Sequence, residues 1–354
     1  MILQIKLLKP FLYLISQVFK TIVLFRVFAY KVGWLKTTII KTPVISVGNL
    51  TLGGTGKTPV VDFLTKEFQN HNLNPAILTR GYKRKDSSSI KRLRYCEDKN
   101  INPTFFGDEP FLLAIRNPKV PIFVGNSRIE TSYLAEKLDQ PDVIILDDAF
   151  QHLKIHRNLN LLLIDSMTGL GNHHLLPLGV LREPENQWKR ADAIILTKSN
   201  LASSENIIKT LKNDLEVSCP IFNFNYEVRK LTRLDGSSRL EIKEIKNKKI
   251  LITSGIAQPK GFAQSLEKHG AKIISKIEFP DHYSFRKKDI KRIINEKQKF
   301  SPDLIITTEK DAVKLREFNE IHEHVWVLEM EIETEKPWND FFENFLELNV
   351  NQLL

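Results

Sequence analysis

A glycine-rich turn that ends in lysine and threonine is the strongest chemical signal in this sequence. It lies within SVGNLTLGGTGKTPVV, residues 46–61. Backbone N–H groups of such a turn point at an anion, the lysine reaches the terminal phosphates of a nucleotide, and the threonine hydroxyl suits Mg²⁺. The predicted nucleotide-binding residues are Gly53, Gly54, Thr55, Gly56, Lys57 and Thr58.

The residues on either side predict the frame that a P-loop requires. TPVISV is β-branched and bounded by proline, as in a buried strand, and the apolar residues from Val60 to Phe68 have helical spacing. One position departs from the pattern G-x-x-x-x-G-K-[ST], because Thr51 stands where the first glycine is expected. We expect Gly53 and Gly54 to supply the bend. The alternative is an ordinary glycine-rich turn between strand and helix.

Two pairs of carboxylates are candidates for metal binding and proton transfer. Asp147 and Asp148 close the apolar run VIILDD, where P-loop proteins place a carboxylate for the metal or its waters. Asp108 and Glu109 lie in FGDEP at a predicted helix start, so Asp108 is a candidate base and Glu109 a candidate metal neighbour. The alternatives are a solvated strand end for the first pair and helix capping for the second.

One histidine stands out beyond these carboxylates. His282, in FPDHYSF, is placed to hydrogen-bond a carboxylate across a cleft and tune its pKa, although a lone loop histidine is more often structural. The charged segments TTEKDAVK and LREP either face phosphates or are solvated. LTKSN only weakly resembles the guanine-reading NKxD motif, since asparagine replaces the final acid.

The elements that must position these residues alternate between strand and helix. This alternation predicts an α/β fold, a P-loop NTPase-type, doubly wound, mostly parallel sheet. Near residue 220 the pattern changes to a β-hairpin, after which a second, smaller α/β series follows. We expect an interfacial helix at 1–36, the nucleotide-binding domain at 37–220, a hairpin linker at 221–245, and a second lobe at 246–354 that closes a cleft over a bulky substrate.

Composition and charge limit the class of protein. The chain has 354 residues, 42% of them hydrophobic, and only two cysteines, so it is globular and fits a reducing compartment. The net charge of +10 suits an anionic partner. Nucleic acid is disfavoured, because the basic residues lie beside an apolar helix rather than among stacking aromatics. No obligate protein partner is evident.

The excess of positive charge is concentrated at the N-terminus, where no acidic residue precedes Asp62. Residues 10–34 are long, apolar and aromatic, and Lys20, Arg26 and Lys31 interrupt them. The uninterrupted pieces are short for a bilayer span, and no small-residue cleavage site follows. We therefore expect a helix in a membrane interface that meets anionic head groups. The alternative is a helix that packs on the core.

Eight segments in order resemble the tetraacyldisaccharide 4'-kinase family, the lipid A 4'-kinases, from about residue 45 to residue 315. They are VGNLTLGGTGKTP, LTRGY, GDEP, DDAFQH, LPLGVLREP, SGIAQPKGF, FPDHYSF and TTEKDAVK. The basic, apolar N-terminus also resembles the membrane-contacting helix of that family. Two positions depart from the family pattern, Ala149 for glycine and Val180 for proline, and both change backbone freedom rather than a reactive group.

The resemblance implies transfer of the γ-phosphoryl group of ATP, with Mg²⁺, to the 4'-hydroxyl of a tetraacyldisaccharide 1-phosphate in lipid A synthesis. It implies a peripheral protein on the cytoplasmic face of the inner membrane. Asp108 matches the catalytic carboxylate and His282 its partner. The metal positions are Thr58, Glu109, Asp147 and Asp148, and Lys57 holds the terminal phosphates. Arg128 and Arg182 are expected phosphate clamps, since a guanidinium fork suits phosphoryl oxygens.

A membrane-associated P-loop ATPase that works as a switch, with water as its only acceptor, is the competing hypothesis. It explains the P-loop, the aspartates and the basic helix equally well. It does not explain an acidic GDEP turn together with a histidine segment in a second lobe.

Overall fold

The computed structural model describes residues 2–81, 84, 88–98, 103–202, 204–256, 259–281 and 283–350, with side chains from Lys9 onward. The predicted histidine His282 lies outside the described residues. The strands are β1 (Val44–Asn49), β2 (Pro75–Thr79), β3 (Lys91–Leu93), β4 (Ile122–Val124), β5 (Val143–Asp147), β6 (Leu159–Asp165), β7 (Ala193–Thr197), β8 (Ile221–Arg233), β9 (Arg239–Glu241), β10 (Lys249–Ser254), β11 (Lys272–Glu278), β12 (Leu304–Thr308) and β13 (Val325–Thr334).

Helices separate most of these strands along the chain. They are α1 (Ile2–Lys31), α2 (Lys57–Asn70), α3 (Pro103–Phe106), α4 (Asp108–Arg116), α5 (Arg128–Leu138), α6 (Glu205–Lys209), α7 (Pro259–Lys268), α8 (Lys287–Phe300), α9 (Glu309–Leu315) and α10 (Lys336–Asn349).

All these strands belong to one sheet, in the order β11-β10-β12-β13-β8-β7-β6-β1-β5-β2-β4-β3, with β9 paired to β8. The pairs β13–β8, β8–β9 and β3–β4 are antiparallel, and the other pairs are parallel. The strands β1, β2, β5, β6 and β7 are buried along their whole length. Strands covered on both faces are rich in apolar residues along their length, as these are. The predicted doubly wound, mostly parallel sheet is confirmed.

The antiparallel pair β8–β13 joins the two halves of this sheet. β8 pairs with β7 of the first half and with β13 of the second, and its far end forms the predicted hairpin with β9. A smaller α/β unit with β10, β11 and β12 follows. The second lobe and its hairpin connection, predicted from the sequence, are therefore present as an extension of a continuous sheet.

The C-terminal helix α10 packs against the first half of the sheet. Its buried Trp338 and Phe342 belong to the core that contains Phe68 of α2 and Phe224 of β8. The ring centroids of Trp338 and Phe224 lie 4.9 Å apart in an edge-on contact. The chain thus returns to the nucleotide-binding half after building the second one. The domain limits given above stay a prediction.

Helix α1 lies along the first half with one side against the core. Ser16 Oγ donates a hydrogen bond to the carbonyl of Leu175 at 3.0 Å, and Val23 and Ala29 are buried. In the described part of the chain, Lys9–Lys31 is a helix long and apolar enough to cross a membrane by length and composition, and only 11% of its most apolar window is buried. Its length and composition thus meet the requirement for a bilayer span although charges interrupt it, and the interfacial placement stays a prediction.

Candidate active site

The phosphate-binding loop connects β1 to α2, as the sequence predicts. The backbone has a positive φ at Gly53 (118°) and at Gly56 (80°), the residue before the first turn of α2. Tyr226 of β8 donates its hydroxyl to the carbonyl of Gly56 at 2.9 Å. A Cβ at Gly56 would lie 2.0 Å from that hydroxyl oxygen, so only glycine fits here.

The segment around Val180 holds the other side of the loop. The N–H of Leu52 donates to the carbonyl of Val180 at 2.7 Å, and Thr51 forms a β-bridge with Leu181. Thr51 therefore serves as an extended residue, and the turn begins at Gly53. Position 51 therefore needs no glycine, because its backbone pairs in an extended conformation.

Lys198, at the end of β7, supports the same loop from the other direction. Its Nζ donates to the carbonyl of Gly54 at 3.2 Å and forms an ion pair with Asp165 at the end of β6. The buried Thr197 hydroxyl donates to the carbonyl of Thr55 at 3.0 Å. The loop carbonyls are thus held by contacts from strands far away in sequence, which fixes the shape of a turn suited to an anion.

Lys57 and the pair Asp147–Asp148 lie together at the carboxyl edge of the sheet. Lys57 Nζ is 3.3 Å from Asn49 Oδ1 and 3.6 Å from Asp148 Oδ1. Asp147 is buried at the end of β5 and accepts a hydrogen bond from the Thr79 hydroxyl at 3.0 Å. Parallel strands bring their carboxyl ends to one edge, so β1, β2 and β5 converge here.

The two aspartates have opposite electrostatic environments. Burial, together with the charge of Asp148, raises the pKa of Asp147. Burial also opposes ionisation of Asp148, but Lys57 and Arg182 outweigh it and hold the pKa of Asp148 below its usual range. Asp148 is therefore the fixed negative charge of the pair, and Asp147 gains most from a cation.

Asp108 and Glu109 start α4 beside these aspartates. Lys314 of α9 forms an ion pair with Asp108 at 2.8 Å. Burial, then the charge of Asp147, raises the pKa of Glu109 to about 7. The structure therefore brings both predicted carboxylate pairs into one electrostatic cluster, with Asp108 held from the second lobe.

The oxygens at this edge fit Mg²⁺. Among the described residues, Asp147 Oδ1 is buried without a hydrogen-bond partner, as is the Thr55 hydroxyl. No three carboxylate, histidine or cysteine side chains within the described ranges are arranged as a complete metal site. Mg²⁺ commonly takes one or two carboxylates plus phosphate oxygens and water, so a partial protein site is what a nucleotide-bound Mg²⁺ needs. Thr58, in the first turn of α2, Glu109 and the two aspartates stay the predicted ligands.

Arg182 and Arg128 differ in how they face the site. Arg182 is bidentate on Asp148, at 2.9 and 3.3 Å, and also reaches Asn49. Arg128 is 4% exposed and donates to the carbonyls of Gly125 and Asp147 at 2.9 and 3.0 Å. Burial lowers the pKa of Arg128 to about 10. Arg182 lies at the edge of the phosphate loop, whereas the buried Arg128 holds the carboxyl end of β5 through the carbonyl of Asp147.

Ala149 and Val180, the two departures from the family pattern, lie outside the positive-φ positions of the described chain. Asp148 has the positive φ of this turn (50°), and no positive φ occurs at Ala149 or Val180. The Ala149 N–H donates to the carbonyl of Val47 at 3.1 Å. Position 149 therefore does not require the conformational freedom of glycine.

Several contributors were missed by sequence reasoning. Asn49 accepts from Lys57 and Arg182, and the Gln151 amide donates to the Asn49 carbonyl at 2.8 Å. Lys314 lies in TTEKDAVK, for which phosphate contact and solvation were both left open, and it pairs with Asp108 instead. Nothing local in the sequence predicts these long-range contacts.

The fold and the site together define a P-loop phosphotransferase. A family model described as Tetraacyldisaccharide-1-P 4'-kinase (LpxK) matches residues 8–347. The tetraacyldisaccharide 4'-kinase of Bdellovibrio bacteriovorus is 37% identical over 290 residues, 82% of this chain and 84% of that protein. The tetraacyldisaccharide 4'-kinase of Desulfatibacillum aliphaticivorans is 34% identical over 341 residues, 94% of this chain and 90% of that protein.

A solved structure agrees over nearly the whole chain. It is LpxK from Aquifex aeolicus in complex with ATP, with a TM-score of 0.79 and 30% sequence identity, and the match covers 97% of this chain and 99% of that one. The chain belongs to the tetraacyldisaccharide-1-P 4'-kinase family. The resemblance read from its motifs is confirmed.

Proposed function

We propose that this protein transfers the γ-phosphoryl group of ATP to the 4'-hydroxyl of a tetraacyldisaccharide 1-phosphate, a step of lipid A synthesis. The observation that carries this function is the convergence of the P-loop lysine with the carboxylates of both motifs in a chain of this kinase family. An ATPase switch that transfers phosphate only to water does not require a carboxylate that a second lobe holds in place.

Asp108 accepts the proton of the 4'-hydroxyl as the new oxygen–phosphorus bond forms and ADP leaves. A general base of this kind needs a fixed position near the acceptor. Lys314 holds one Asp108 oxygen at 2.8 Å and donates to the carbonyl of Tyr283 at 3.0 Å, so it ties the base to the second lobe. The predicted partner of Asp108, His282, is adjacent to Tyr283 in the chain.

Lys57 and Arg182 offset the negative charge that spreads over the moving phosphoryl group. Positioned cations are the main protein contribution in phosphoryl transfer. Both cations form ion pairs with Asp148 in the structure, and these ion pairs keep them at the end of the phosphate loop. Thr58, Glu109 and the two aspartates would hold Mg²⁺, which would supply further neutralisation of phosphate charge.

The acceptor is a lipid, and α1 is proposed to meet the cytoplasmic leaflet as a peripheral element. Its outer side exposes large apolar residues, among them Phe11, Leu14, Val18, Ile22 and Phe25. Arg26 instead turns inward and donates to the carbonyl of Gln151, in the same motif as Asp148. An apolar surface tied to the active-site loop would let the acyl chains stay in the membrane while the sugar reaches ATP.

Phosphate transfer from γ-labelled ATP to tetraacyldisaccharide 1-phosphate in detergent micelles tests this function. Label in the lipid, equal to the ATP consumed, is expected. The competing ATPase switch predicts ATP consumption without the lipid and no labelled lipid when it is present. Lys57→Met is the matched inactive control for either activity.

A further inference from the structure

A cavity of about 360 Å³ lies between the C-terminal half of α1 and the amino ends of β6 and β7. Lys31, His156, Arg157 and Arg190 line it, and Asp192 is its one acidic residue. The rest of the wall is neutral or apolar, with Val27 and Leu153 among its side chains. A cavity with this excess of positive charge suits an anion.

Arg157 is the buried guanidinium in this wall that has no direct carboxylate partner among the described residues. It donates to two neutral oxygens, the Phe150 carbonyl at 3.2 Å and Asn160 Oδ1 at 3.5 Å, and forms no ion pair with any residue that the structure describes. Burial, then the neighbouring Arg190, lowers the pKa of Arg157 to about 10. Glu183 and Asp192 oppose this effect from a distance, and a bound anion would add the direct charged partner that the guanidinium lacks.

Two further charged residues of the lining, Arg190 and Asp192, already have partners. Arg190 pairs with the buried Glu183, and its guanidinium lies over the Phe150 ring at 4.6 Å. Asp192 accepts a hydrogen bond from the Asn160 N–H at 2.7 Å, and burial raises its pKa. Asp192 therefore hydrogen-bonds the backbone and attracts Arg157 only at a distance, without a direct ion pair among the described residues.

An exposed apolar surface adjoins this cavity. Phe25, Phe28 and Trp34 are 61%, 50% and 67% exposed, and both phenylalanine rings contact the indole, with centroids 6.3 and 5.8 Å apart. They alternate along the chain with Val27 and Lys31, which line the cavity. A ligand that fits both features has an anionic head group and a hydrocarbon part.

The cavity is separate from the phosphate loop. It borders Asn160, near the start of β6, whereas Asp165, which holds Lys198 against the loop, ends the same strand. Strand geometry puts these ends roughly 15–20 Å apart. A ligand here is therefore distinct from the hydroxyl that receives the phosphoryl group.

We propose that this cavity binds the phosphate head group of an anionic membrane phospholipid, with Arg157 as its principal contact and Lys31 at its rim. The lipid fixes α1 on the membrane and on the core at the same time. This inference rests on the proposed contact of α1 with the membrane but not on the kinase reaction.

Partition of the full-length protein between water and vesicles tests it. Phosphatidylcholine vesicles with and without 20 mol% phosphatidylglycerol give the gain in binding that the anionic lipid causes. Arg157→Gln should reduce that gain by on the order of tenfold or more, because it removes a charged hydrogen bond to phosphate. Lys31→Gln, an exposed change that leaves the core intact, should reduce it in the same direction.

Lys36→Gln is the matched control, since Lys36 is exposed beside the same apolar surface and does not line the cavity. A loss of about fivefold or less is the general effect of one surface charge. Equal losses in Arg157→Gln, Lys31→Gln and Lys36→Gln would overturn the proposed site.

Kinase assays in phospholipid-free, non-ionic micelles separate the other sources of phosphate. Arg157→Gln should leave the KM for the disaccharide within about twofold of the wild type, because the proposed ligand is a second lipid. A tenfold rise would assign the cavity to a phosphate of the acceptor and overturn the proposal. The gain in vesicle binding that phosphatidylglycerol causes is also measured in inorganic phosphate and in chloride of equal ionic strength. If phosphate abolishes this gain and chloride does not, the cavity is assigned to free phosphate and the proposal is overturned.

Discussion

Replacement of Glu109 by glutamine should stabilise the metal-free, nucleotide-free protein while it impairs catalysis. Burial and the charge of Asp147 raise the pKa of Glu109 from its ordinary 4.5 to about 7. That difference corresponds to about 3 kcal/mol by which the ionised carboxylate destabilises the native state. Glutamine keeps the shape and removes the charge, so Glu109→Gln should gain about 1–3 kcal/mol at pH 8.

The gain should depend on pH in a defined window. The native state binds more protons than the unfolded state between pH 4.5 and about 7, so the stability of the wild type falls as the pH rises through this range. Below pH 4.5 both states carry a neutral Glu109 and the glutamine variant should gain nothing. Above pH 7 the full difference should appear.

Urea unfolding at pH 4.5, 6 and 8, with EDTA present, measures the difference in free energy of unfolding between Glu109→Gln and the wild type. Glu267→Gln, the same change at an exposed position of α7, is the control and should stay within about 0.5 kcal/mol of the wild type at every pH. A gain for Glu109→Gln that is equal at pH 4.5 and pH 8, or a loss of stability at pH 8, would refute the assigned electrostatics of the carboxylate cluster.

Two further substitutions test the supports of the site. Gly56→Ala should weaken ATP binding at least tenfold, because the new Cβ would lie 2.0 Å from the Tyr226 hydroxyl at a position with positive φ. Calorimetric titration with ATP measures the affinity. An unchanged affinity would contradict the loop geometry. Lys314→Met should lower kcat by about tenfold or more and shift the pH profile of kcat, while the KM for ATP changes little, because Lys314 positions Asp108 through a 2.8 Å ion pair. Lys314→Arg should restore part of kcat. A change confined to the KM for ATP would count against this positioning role.

The nucleotide site could be predicted because its signal is local. The strand before Gly53, the glycines, and Lys57 at the start of a helix are adjacent in the chain, and the helix start fixes the direction of the loop N–H groups. The apolar run that ends at Asp147 likewise predicted the strand that brings this carboxylate to the same edge.

Contacts between distant segments could not be predicted. Tyr226 reaches Gly56 from 170 residues away, and Lys314 reaches Asp108 from the second half of the sheet. Hydrophobic periodicity specifies which face of an element is buried but not which element covers it. The packing of α10 on the first half was missed for the same reason, because the apolar residues around Trp338 do not indicate which face they cover.

Single-turnover phosphoryl transfer by Asp108→Asn tests the central claim most directly. Wild type and variant are mixed with γ-labelled ATP, Mg²⁺ and tetraacyldisaccharide 1-phosphate in micelles, and ATP affinity is measured in parallel. The account predicts that transfer to lipid falls by about 10²–10⁴-fold, the usual contribution of a general base, while ATP affinity changes less than about threefold. Transfer at the wild-type rate, with ATP bound equally well, would contradict it.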